Sequence, residues 1–293
     1  DVDVKCDRLV EPIVKRERPD AALVVSNQSN LGLYERCGVP VFFIDILFWY
    51  GEQKDESLWA KFEMGFVLDF PGVRDRVASL AWRRPPTVVG PILRRVRRRA
   101  ATGASTLVNL GGVRSVFMSA ASARAGIAVV CHVLRTIAPD LPPGDVVVAA
   151  GSDAAAALRS SLPAAYRIGP LSASEYDDLL GRTALLLTVP GLNAVLEGMA
   201  AGVPLAFLPA INASQCLQLR RYGLAGVGAP AVALDKFSEI VTPDRVSDEG
   251  ALSEKVVEAL RVVSTSESRL QSVAAAVKAQ LPINDDLTRR RKA

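Results

Sequence analysis

Apolar positions in the first third of the chain form short continuous runs, and segments of helical spacing lie next to them. The runs are residues 21–26 (AALVVS), 39–46 (VPVFFIDI), 66–68 and 87–89. Runs of this length are typical of strands that are buried on both faces. Helical spacing covers residues 6–18 and 31–37. Strands that alternate with helices predict a parallel sheet.

The same alternation starts again at residue 106. The predicted strands are residues 106–110, 145–150, 166–168, 184–188 and 204–208. The predicted helices are residues 121–138, 154–158, 174–180, 193–201, 213–222, 250–263 and 266–281. We therefore predict a second α/β unit, and we expect its last helix to pack back across the boundary between the two units.

One break in composition separates the two series. Residues 94–105 (RRVRRRAATGAS) carry charged and then small side chains without an apolar period. We predict a Rossmann-like domain at residues 1–93, a linker at 94–105, a second Rossmann-like domain at 106–281 and a basic tail at 282–293. Two doubly wound parallel sheets joined in this way leave an interdomain cleft, and ligands bind such sheets at the carboxyl ends of the strands. The chain begins near the middle of its first helical pattern, so we expect further sequence upstream.

Composition excludes several classes of protein. Apolar residues make up 49% of the chain, which is typical of a globular protein and excludes disorder. No apolar stretch is long enough to cross a membrane, and none has the pattern of a signal peptide. The four cysteines are far apart, which predicts reduced thiols in a cytoplasmic protein. The single histidine, His132, makes a metal site unexpected, and its place in an apolar helix favours a structural role.

Much of the basic charge lies in two clusters, RRVRRR at residues 94–99 and RRRK at 289–292. Such clusters are either solvated segments or patches that bind nucleic acid or anionic membranes. Neither cluster is interleaved with aromatic residues, and no nucleic-acid motif surrounds them. We interpret both as solvated and expect no nucleic-acid partner. The sequence carries no signal for the oligomeric state.

Two turns at predicted strand ends are candidates for binding an anion. Asn109, Gly111 and Gly112 belong to an NLGG turn directly after the strand at 106–110. Adjacent glycines allow a sharp turn whose backbone N–H groups can face an anion, although a Gly-Gly turn is often purely structural.

The second turn connects the strand at 184–188 to a helix through Pro190, Gly191, Leu192 and Asn193. A helix N-terminus offers unpaired N–H groups and a partial positive charge, which suits a diphosphate without lysine or metal. Asn193 could equally be the N-cap of the helix.

Three further polar residues follow this turn. Glu197 lies one helical turn later, where it could bind a ribose diol or face solvent. Asn212 and Gln215 follow the strand at 204–208, where Asn and Gln suit sugar hydroxyls, although Asn212 could also cap the next helix.

Together these motifs resemble the C-terminal domain of GT-B glycosyltransferases that use nucleotide-diphospho-sugars on small molecules. The shared order is a GG turn, a nucleobase loop at 167–171 (RIGPL), Gly-x-Asn-x-x-x-Glu, AGVPLAFLP and a late Gln. The resemblance covers residues 106–228 well and residues 20–93 loosely. It implies a GT-B fold, a UDP-sugar bound by the C-terminal domain without metal or other cofactor, and a small-molecule acceptor on the N-terminal domain.

The resemblance also implies roles for single residues. Asn193 and its helix start would hold the diphosphate and Glu197 the ribose, while Ile168 and Leu171 would hold the uracil. Asn212 and Gln215 would contact the sugar.

A narrower resemblance lies in three segments, LVNLGG, SASEYDDLL and TVPGLNAVLEGMAAGVPLAFLPAINASQ. They are similar to the cytosylglucuronic acid synthases of nucleoside-antibiotic pathways. That family implies transfer of glucuronic acid from UDP-glucuronate to N1 of cytosine.

The chain departs from the broader family at two points. Ser214 stands where an acidic residue often precedes the late Gln, so recognition of the donor sugar is open. The usual catalytic His lies in an N-terminal segment that this chain does not match.

Two residues are candidates for the chemistry. Asp45 ends a predicted strand and is our candidate base or cytosine-orienting group, although it could instead cap a turn. Arg114 follows the GG turn and suits a phosphate or a glucuronate carboxylate, or else is a solvated loop residue. The polar segment at 26–30 (SNQSN) could face cytosine.

Three other functions remain open at this point. A UDP-sugar epimerase of the same fold is one, although such enzymes generally use His and acidic groups around the sugar. A non-catalytic partner protein of the nucleotide-sugar fold is the second. A nucleic-acid module, with salt-dependent DNA binding as its signature, is the third.

Overall fold

The computed structural model describes residues 2–26, 30–50, 56–94, 105–112, 120–227, 232–240, 242–243 and 247–281. Contacts between residues divide the chain after Ile92 into two units. The predicted basic tail and residues 95–104 of the predicted linker lie outside the described residues. Among the residues described, no helix is both long and apolar enough to span a bilayer.

The first unit alternates helices and strands from its start. Its elements are α1 (Val2–Glu17), β1 (Ala22–Val25), α2 (Leu31–Arg36), β2 (Val41–Asp45), α3 (Glu56–Trp59), β3 (Met64–Leu68), α4 (Val73–Ser79) and β4 (Thr87–Val89). All four strands are parallel and lie in the order β1-β2-β3-β4. The predicted strands of this unit are confirmed, with β3 beginning two residues before the predicted run, whereas α3 and α4 were not predicted.

Strand order determines which face of the first sheet is covered. Right-handed crossovers that all step in one direction place the connecting helices on the same face. Phe43 and Val67 are fully buried on that face, whereas Leu23 is 66% exposed on the opposite face. Leu23 pairs with Phe42 in register, so these two side chains share the opposite face.

An aromatic cluster forms the core of the first unit. Trp59 makes edge-to-face contacts with Phe43, Phe48 and Phe62, with ring centroids 5.6–5.7 Å apart. Such contacts add to the burial of large apolar side chains, which is the main stabilising term of a small unit.

The second unit contains the remaining elements. They are β5 (Thr106–Asn109), α5 (Ala120–Ile137), β6 (Val146–Ala149), α6 (Ser152–Arg159), β7 (Arg167–Gly169), α7 (Ala173–Arg182), β8 (Leu185–Thr188), α8 (Leu192–Ala200), β9 (Leu205–Phe207), α9 (Ala213–Leu224), α10 (Glu249–Ser264) and α11 (Glu267–Lys278). The sheet is parallel and has the order β7-β6-β5-β8-β9.

Helices cover both faces of the second sheet. Side chains of α7 pack with the strands around Leu107 and Leu186 in one apolar cluster. Helix α5 packs against α10 and α11. Helix α11 packs within its own unit against α5 and α10, and the expected contact across the boundary stays a prediction. Gln280, just after α11, contacts β9 of the same unit. Its Oε1 accepts the N–H of Phe207 at 3.0 Å, and its Nε2 donates to the carbonyl of Phe207 at 3.0 Å.

Close packing at Gly65 generates a prediction for the first unit. A Cβ at Gly65 would lie 2.6 Å from the Trp59 ring, which is held in the aromatic cluster. We expect Gly65→Ala to lower the free energy of unfolding by about 1–3 kcal/mol through overpacking. Tryptophan fluorescence during urea unfolding measures this unit alone, because Trp49, Trp59 and Trp82 all lie in it.

The matched control is Gly90→Ala, where no atom lies within 4 Å of the added carbon. This variant should unfold at the urea concentration of the wild type. Equal midpoints for both variants would contradict the packing argument.

Candidate functional site

A cavity of about 820 Å³ lies at the carboxyl ends of the strands of the second unit. Its walls come from the segments that follow β5, β6 and β7, and from the start of α8. The chain passes from β7 at one edge of the sheet to β8 on the other side of β5. Strand order reverses at this point, which is where ligands bind in doubly wound sheets.

The GG turn after β5 forms one wall and is held by side-chain amides. Gly111 donates its N–H to Asn109 Oδ1 at 3.1 Å. Gln215 Nε2 donates to the carbonyl of Gly111 at 3.0 Å, and Asn212 Nδ2 donates to the carbonyl of Gly112 at 2.9 Å. Asn109, Gly111 and Gly112 all line the cavity. The GG turn thus lies at the cavity, its anion-binding role stays a prediction, and one of its N–H groups already has a partner within the protein.

Asn212 and Gln215 support the turn and do not line the cavity. Asn212 Oδ1 accepts the backbone N–H of Gln215 at 2.9 Å, so Asn212 is the N-cap of α9. Gln215 is 3% exposed, and its Oε1 accepts the N–H of Ile211 at 2.9 Å. Both amides therefore position the backbone around the cavity, whereas the sequence pattern suggested direct contact with a sugar.

Two helices begin at the cavity without a side-chain cap. Helices α7, α9 and α10 are capped by the side chains of Ser172, Asn212 and Asp248, and α7 also begins at the cavity. Helix α11 begins at Ser266 without a side-chain cap bond. Helices α6 and α8 begin at Gly151 and Gly191, which have no side chain to cap them, and the first turns of both helices line the cavity. The first N–H groups of a helix have no partner within that helix, and such groups can bind an anion.

Asn193 is the second residue of α8 and lines the cavity with an exposed side chain. Because Gly191 is the N-cap, the alternative that Asn193 caps the helix is wrong. Pro190, Gly191 and Leu192 shape the entry to the helix but do not line the cavity.

Glu197 lines the cavity, as expected for a residue that faces the ligand, but it is not free. The residue is 7% exposed, and its Oε1 lies 3.2 Å from a terminal nitrogen of Arg94. The same Arg94 nitrogen lies 3.3 Å from Asp177 Oδ1. Arg94 NH1 donates to the carbonyl of Ala173 at 3.4 Å.

Tyr176 lies beside this ion pair. The Arg94 guanidinium carbon is 6.0 Å from the centroid of the Tyr176 ring, within the range of a cation–π contact. The Tyr176 hydroxyl accepts from Asn109 Nδ2 at 3.4 Å. Burial, and secondly the Glu197 carboxylate, raise the pKa of the Tyr176 phenol, which therefore stays neutral at physiological pH.

Arg94 is a cavity residue that the sequence pattern did not indicate. We interpreted the cluster at 94–99 as solvated linker, and residues 95–99 lie outside the described part of the chain. Arg94 itself lines the cavity and contacts two carboxylates from α7 and α8. No local pattern marks it, because its partners are about 80 and 100 residues away along the chain.

Of the two residues expected to hold uracil, the structure brings only Leu171 to the cavity. Ile168 is 8% exposed, and its carbonyl accepts from the Arg159 guanidinium at 2.7 Å. Ile168 is therefore part of the packing of β7 against α6 and does not belong to the cavity wall.

Asp45 lies in the first unit at the end of β2. It is 4% exposed, and its Oδ1 accepts the N–H of Leu47 at 2.8 Å. The Asp45 side chain therefore caps the turn that follows β2. This contact agrees with the turn-capping alternative, and the role of Asp45 as a base or cytosine-orienting group stays a prediction. Arg114 and residues 27–29 of the polar segment lie outside the described residues.

His132 lies on α5 and is not among the residues that line the cavity. Within the described ranges, no group of three His, Cys, Asp or Glu side chains is placed to hold a metal ion.

The two units and the cavity define a class of protein. Two parallel-sheet α/β units, the second with a cavity at its switch point, form the GT-B fold, as in solved GT-B glycosyltransferases. The chain belongs to the CGA synthase-related protein family, whose model matches residues 5–250. The family and the fold are those of glycosyltransferases, and the resemblance to the cytosylglucuronic acid synthases is confirmed at the level of the family.

Solved structures support the fold. The glycosyltransferase of kitacinnamycin is 18% identical over 99% of this chain and 80% of its own, with a TM-score of 0.52. CalG4, the calicheamicin glycosyltransferase, is 19% identical over 97% and 78%, with a TM-score of 0.51. A Listeria monocytogenes protein described as a UDP-N-acetylglucosamine 2-epimerase is 11% identical over 99% and 77%, with a TM-score of 0.50. A comparison with curated protein sequences finds no match.

The GG turn generates a prediction about the site. Gly112 has a φ of +79°, and a Cβ there would lie 3.0 Å from Gln215 Nε2 and 3.1 Å from Asn212 Nδ2. We expect Gly112→Ala to displace the turn and to weaken UDP binding at least about tenfold, because this backbone conformation disfavours a side chain. Isothermal titration calorimetry with UDP measures the effect.

The matched control is Gly111→Ala in the same turn. Its φ is not in the left-handed region, and its nearest contact would be Asn109 Oδ1 at 3.5 Å, an ordinary distance. Gly111→Ala should lose less affinity than Gly112→Ala, and an unchanged affinity in Gly112→Ala would refute a role for the turn.

Proposed function

We propose that this protein transfers glucuronic acid from UDP-glucuronate to N1 of cytosine, and so makes cytosylglucuronic acid for a nucleoside-antibiotic pathway. The observation that carries the proposal is the cavity of the second unit, where the GG turn, two uncapped helix starts and Glu197 converge. Family membership supports this choice of sugar and acceptor.

The departure of UDP is the part of the reaction that the cavity serves. Breaking the anomeric carbon–oxygen bond leaves negative charge on the diphosphate, and preorganised N–H donors stabilise that charge. The uncapped starts of α6 and α8 supply such donors. We propose that these groups stabilise the leaving group without a divalent metal.

Glu197 holds the nucleoside in this proposal. Its carboxylate can accept hydrogen bonds from both hydroxyls of a ribose, and it lies on the cavity wall beside the diphosphate donors. Leu171 provides an apolar surface for the uracil ring.

The acceptor needs little catalytic assistance. The N1–H of cytosine is more acidic than an alcohol, so a weak base is sufficient to deprotonate it. The nitrogen then forms the new bond to the anomeric carbon as the bond to UDP breaks. We propose that Arg114 pairs with the carboxylate of the glucuronate, since a guanidinium recognises carboxylates through two parallel hydrogen bonds.

The compartment that we propose is the cytoplasm. Cys131 and Cys216 are free thiols buried in the second unit, in agreement with reduced cysteines.

Product formation is the direct test. We expect the protein, incubated with UDP-glucuronate, cytosine and EDTA, to release UDP and to form an N-glycosidic cytosine adduct that mass spectrometry detects. UDP-glucose should react much more slowly, because a basic partner of the missing carboxylate would be left unpaired.

Other products would contradict parts of the proposal. Equal rates with both donors would refute the carboxylate contact, and loss of activity in EDTA would refute a metal-free mechanism. Adducts of alcohols in place of cytosine would indicate a different acceptor. Epimerised UDP-sugar without free UDP would indicate an epimerase, a function that the Listeria neighbour keeps open.

Glu197 provides a second test, directed at ribose recognition. We expect Glu197→Gln to weaken UDP binding about 10- to 100-fold, since a hydrogen bond to a charged group contributes about 1.5–3 kcal/mol. The affinity for 2′-deoxy-UDP should change much less, because one of the two ribose hydroxyls is absent. Calorimetry with both nucleotides gives the ratio of the affinity for UDP to the affinity for 2′-deoxy-UDP.

Glu258→Gln is the matched control, because Glu258 pairs with Arg261 on an exposed helical surface. If Glu197→Gln binds UDP and 2′-deoxy-UDP with the same ratio of affinities as the wild type, Glu197 does not contact the ribose.

A further inference from the structure

We propose that Arg94 exchanges partners when the donor binds: its guanidinium leaves Glu197 and Asp177 and binds the diphosphate, which releases Glu197 to the ribose. This inference rests on the proposed function, because it requires a nucleoside diphosphate in the cavity. It assigns a specificity-determining role to a residue that the family resemblance did not include.

Arg94 holds its present partners loosely. A single terminal nitrogen lies 3.2 Å from Glu197 and 3.3 Å from Asp177, whereas strong charge-assisted hydrogen bonds measure about 2.7–2.9 Å and use both nitrogens of the fork. Its side chain is 44% exposed, so water and salt weaken these pairs. A diphosphate offers more charge and a geometry that the guanidinium can bind with two nitrogens.

The charges around the cavity require such a residue. Among the described residues that line it, Asp153 and Glu197 are acidic and Arg94 is basic. Asp177 adds a further carboxylate at the Arg94 guanidinium. A diphosphate entering beside Glu197 and Asp177 would be repelled unless Arg94 were close, since charges at about 4 Å interact strongly in a partly buried site.

The backbone donors offer a diphosphate only part of the charge that it carries. Gly111 already donates its N–H to Asn109, so the GG turn offers fewer donors than its sequence suggests. The starts of α6 and α8 each contribute only a partial charge. Arg94 would add a full positive charge to these partial charges.

The Tyr176 ring would allow the exchange to take place over a short distance. The ring lies 6.0 Å from the guanidinium carbon and stays neutral, so it can support the cation in both positions. Glu197 and the phosphate donors at the start of α8 belong to the same helix, one turn apart. The guanidinium therefore needs to rotate rather than move to another part of the unit.

The exchange predicts opposite effects on two ligands. We expect Arg94→Gln to weaken UDP binding about 10- to 100-fold, the range for loss of a charged hydrogen-bond partner. Uridine has no phosphate and competes with Arg94 for Glu197, so its affinity should stay the same or increase. Calorimetry measures UDP, and competition or ligand-detected NMR measures the weaker uridine.

Three variants make the result specific. Arg94→Lys keeps the positive charge but lacks the two terminal nitrogens of the guanidinium, and it should retain more UDP affinity than Arg94→Gln. Arg261→Gln breaks an exposed ion pair elsewhere in the unit and should bind both ligands as the wild type does. Any gain in uridine affinity should disappear when Glu197→Gln is added to Arg94→Gln, because the gain comes from released Glu197.

The affinities for UDP, UDP-glucose and UDP-glucuronate distinguish contact with the diphosphate from contact with the sugar carboxylate. An equal loss of affinity for all three in Arg94→Gln supports contact with the diphosphate. A loss confined to UDP-glucuronate would overturn the proposal, because the guanidinium would then bind the sugar carboxylate.

Two further results would overturn the inference. Unchanged UDP affinity in Arg94→Gln, with normal binding by the wild type, would refute the exchange and leave the proposed function intact. Equal weakening of UDP and uridine would show that Arg94 only supports the cavity wall. Failure of the wild type to bind UDP would instead refute the proposed function, and this inference with it.

Discussion

The parallel pairing of β5 with β6 on one side and β8 on the other is the constraint on which the candidate site depends. Parallel strands end at the same edge of a sheet, so the segments that follow β5, β6 and β8 meet there. The chain leaves β5 toward β6 and later returns to its other side, and this reversal opens the cavity. The GG turn and two uncapped helix starts therefore come together from three distant parts of the sequence.

Buried side-chain amides keep this edge in shape. A buried amide must satisfy both its donor and its acceptor, and Gln215 does so by bonding Ile211 and Gly111. Asn212 caps α9 and also bonds Gly112. These residues hold the backbone that would face a ligand, which explains why a polar pattern typical of sugar binding can occur at positions outside the cavity wall.

Acidic and basic groups share the wall, and their balance gives the cavity its chemical character. Glu197 suits hydroxyl groups and a diphosphate needs positive charge, so a site for a nucleoside diphosphate has to contain both. Arg94 satisfies this requirement from a position just after the division between the units. Its contacts with Glu197 and Asp177 keep two partly buried carboxylates paired, which lowers the cost of burying them.

The sequence by itself determined the fold class, the parallel order of strand and helix, and two segments at the cavity, the GG turn and the start of α8. These follow from local apolar periods and from glycines at strand ends. It missed α4, whose short polar helix carries little periodic signal. Tertiary structure alone decided that Arg94 reaches Glu197, that Gln215 supports the GG turn and that Asp45 caps a turn. Each of these depends on a contact whose partner is set by folding, and for Arg94 and Gln215 that partner is about a hundred residues away along the chain.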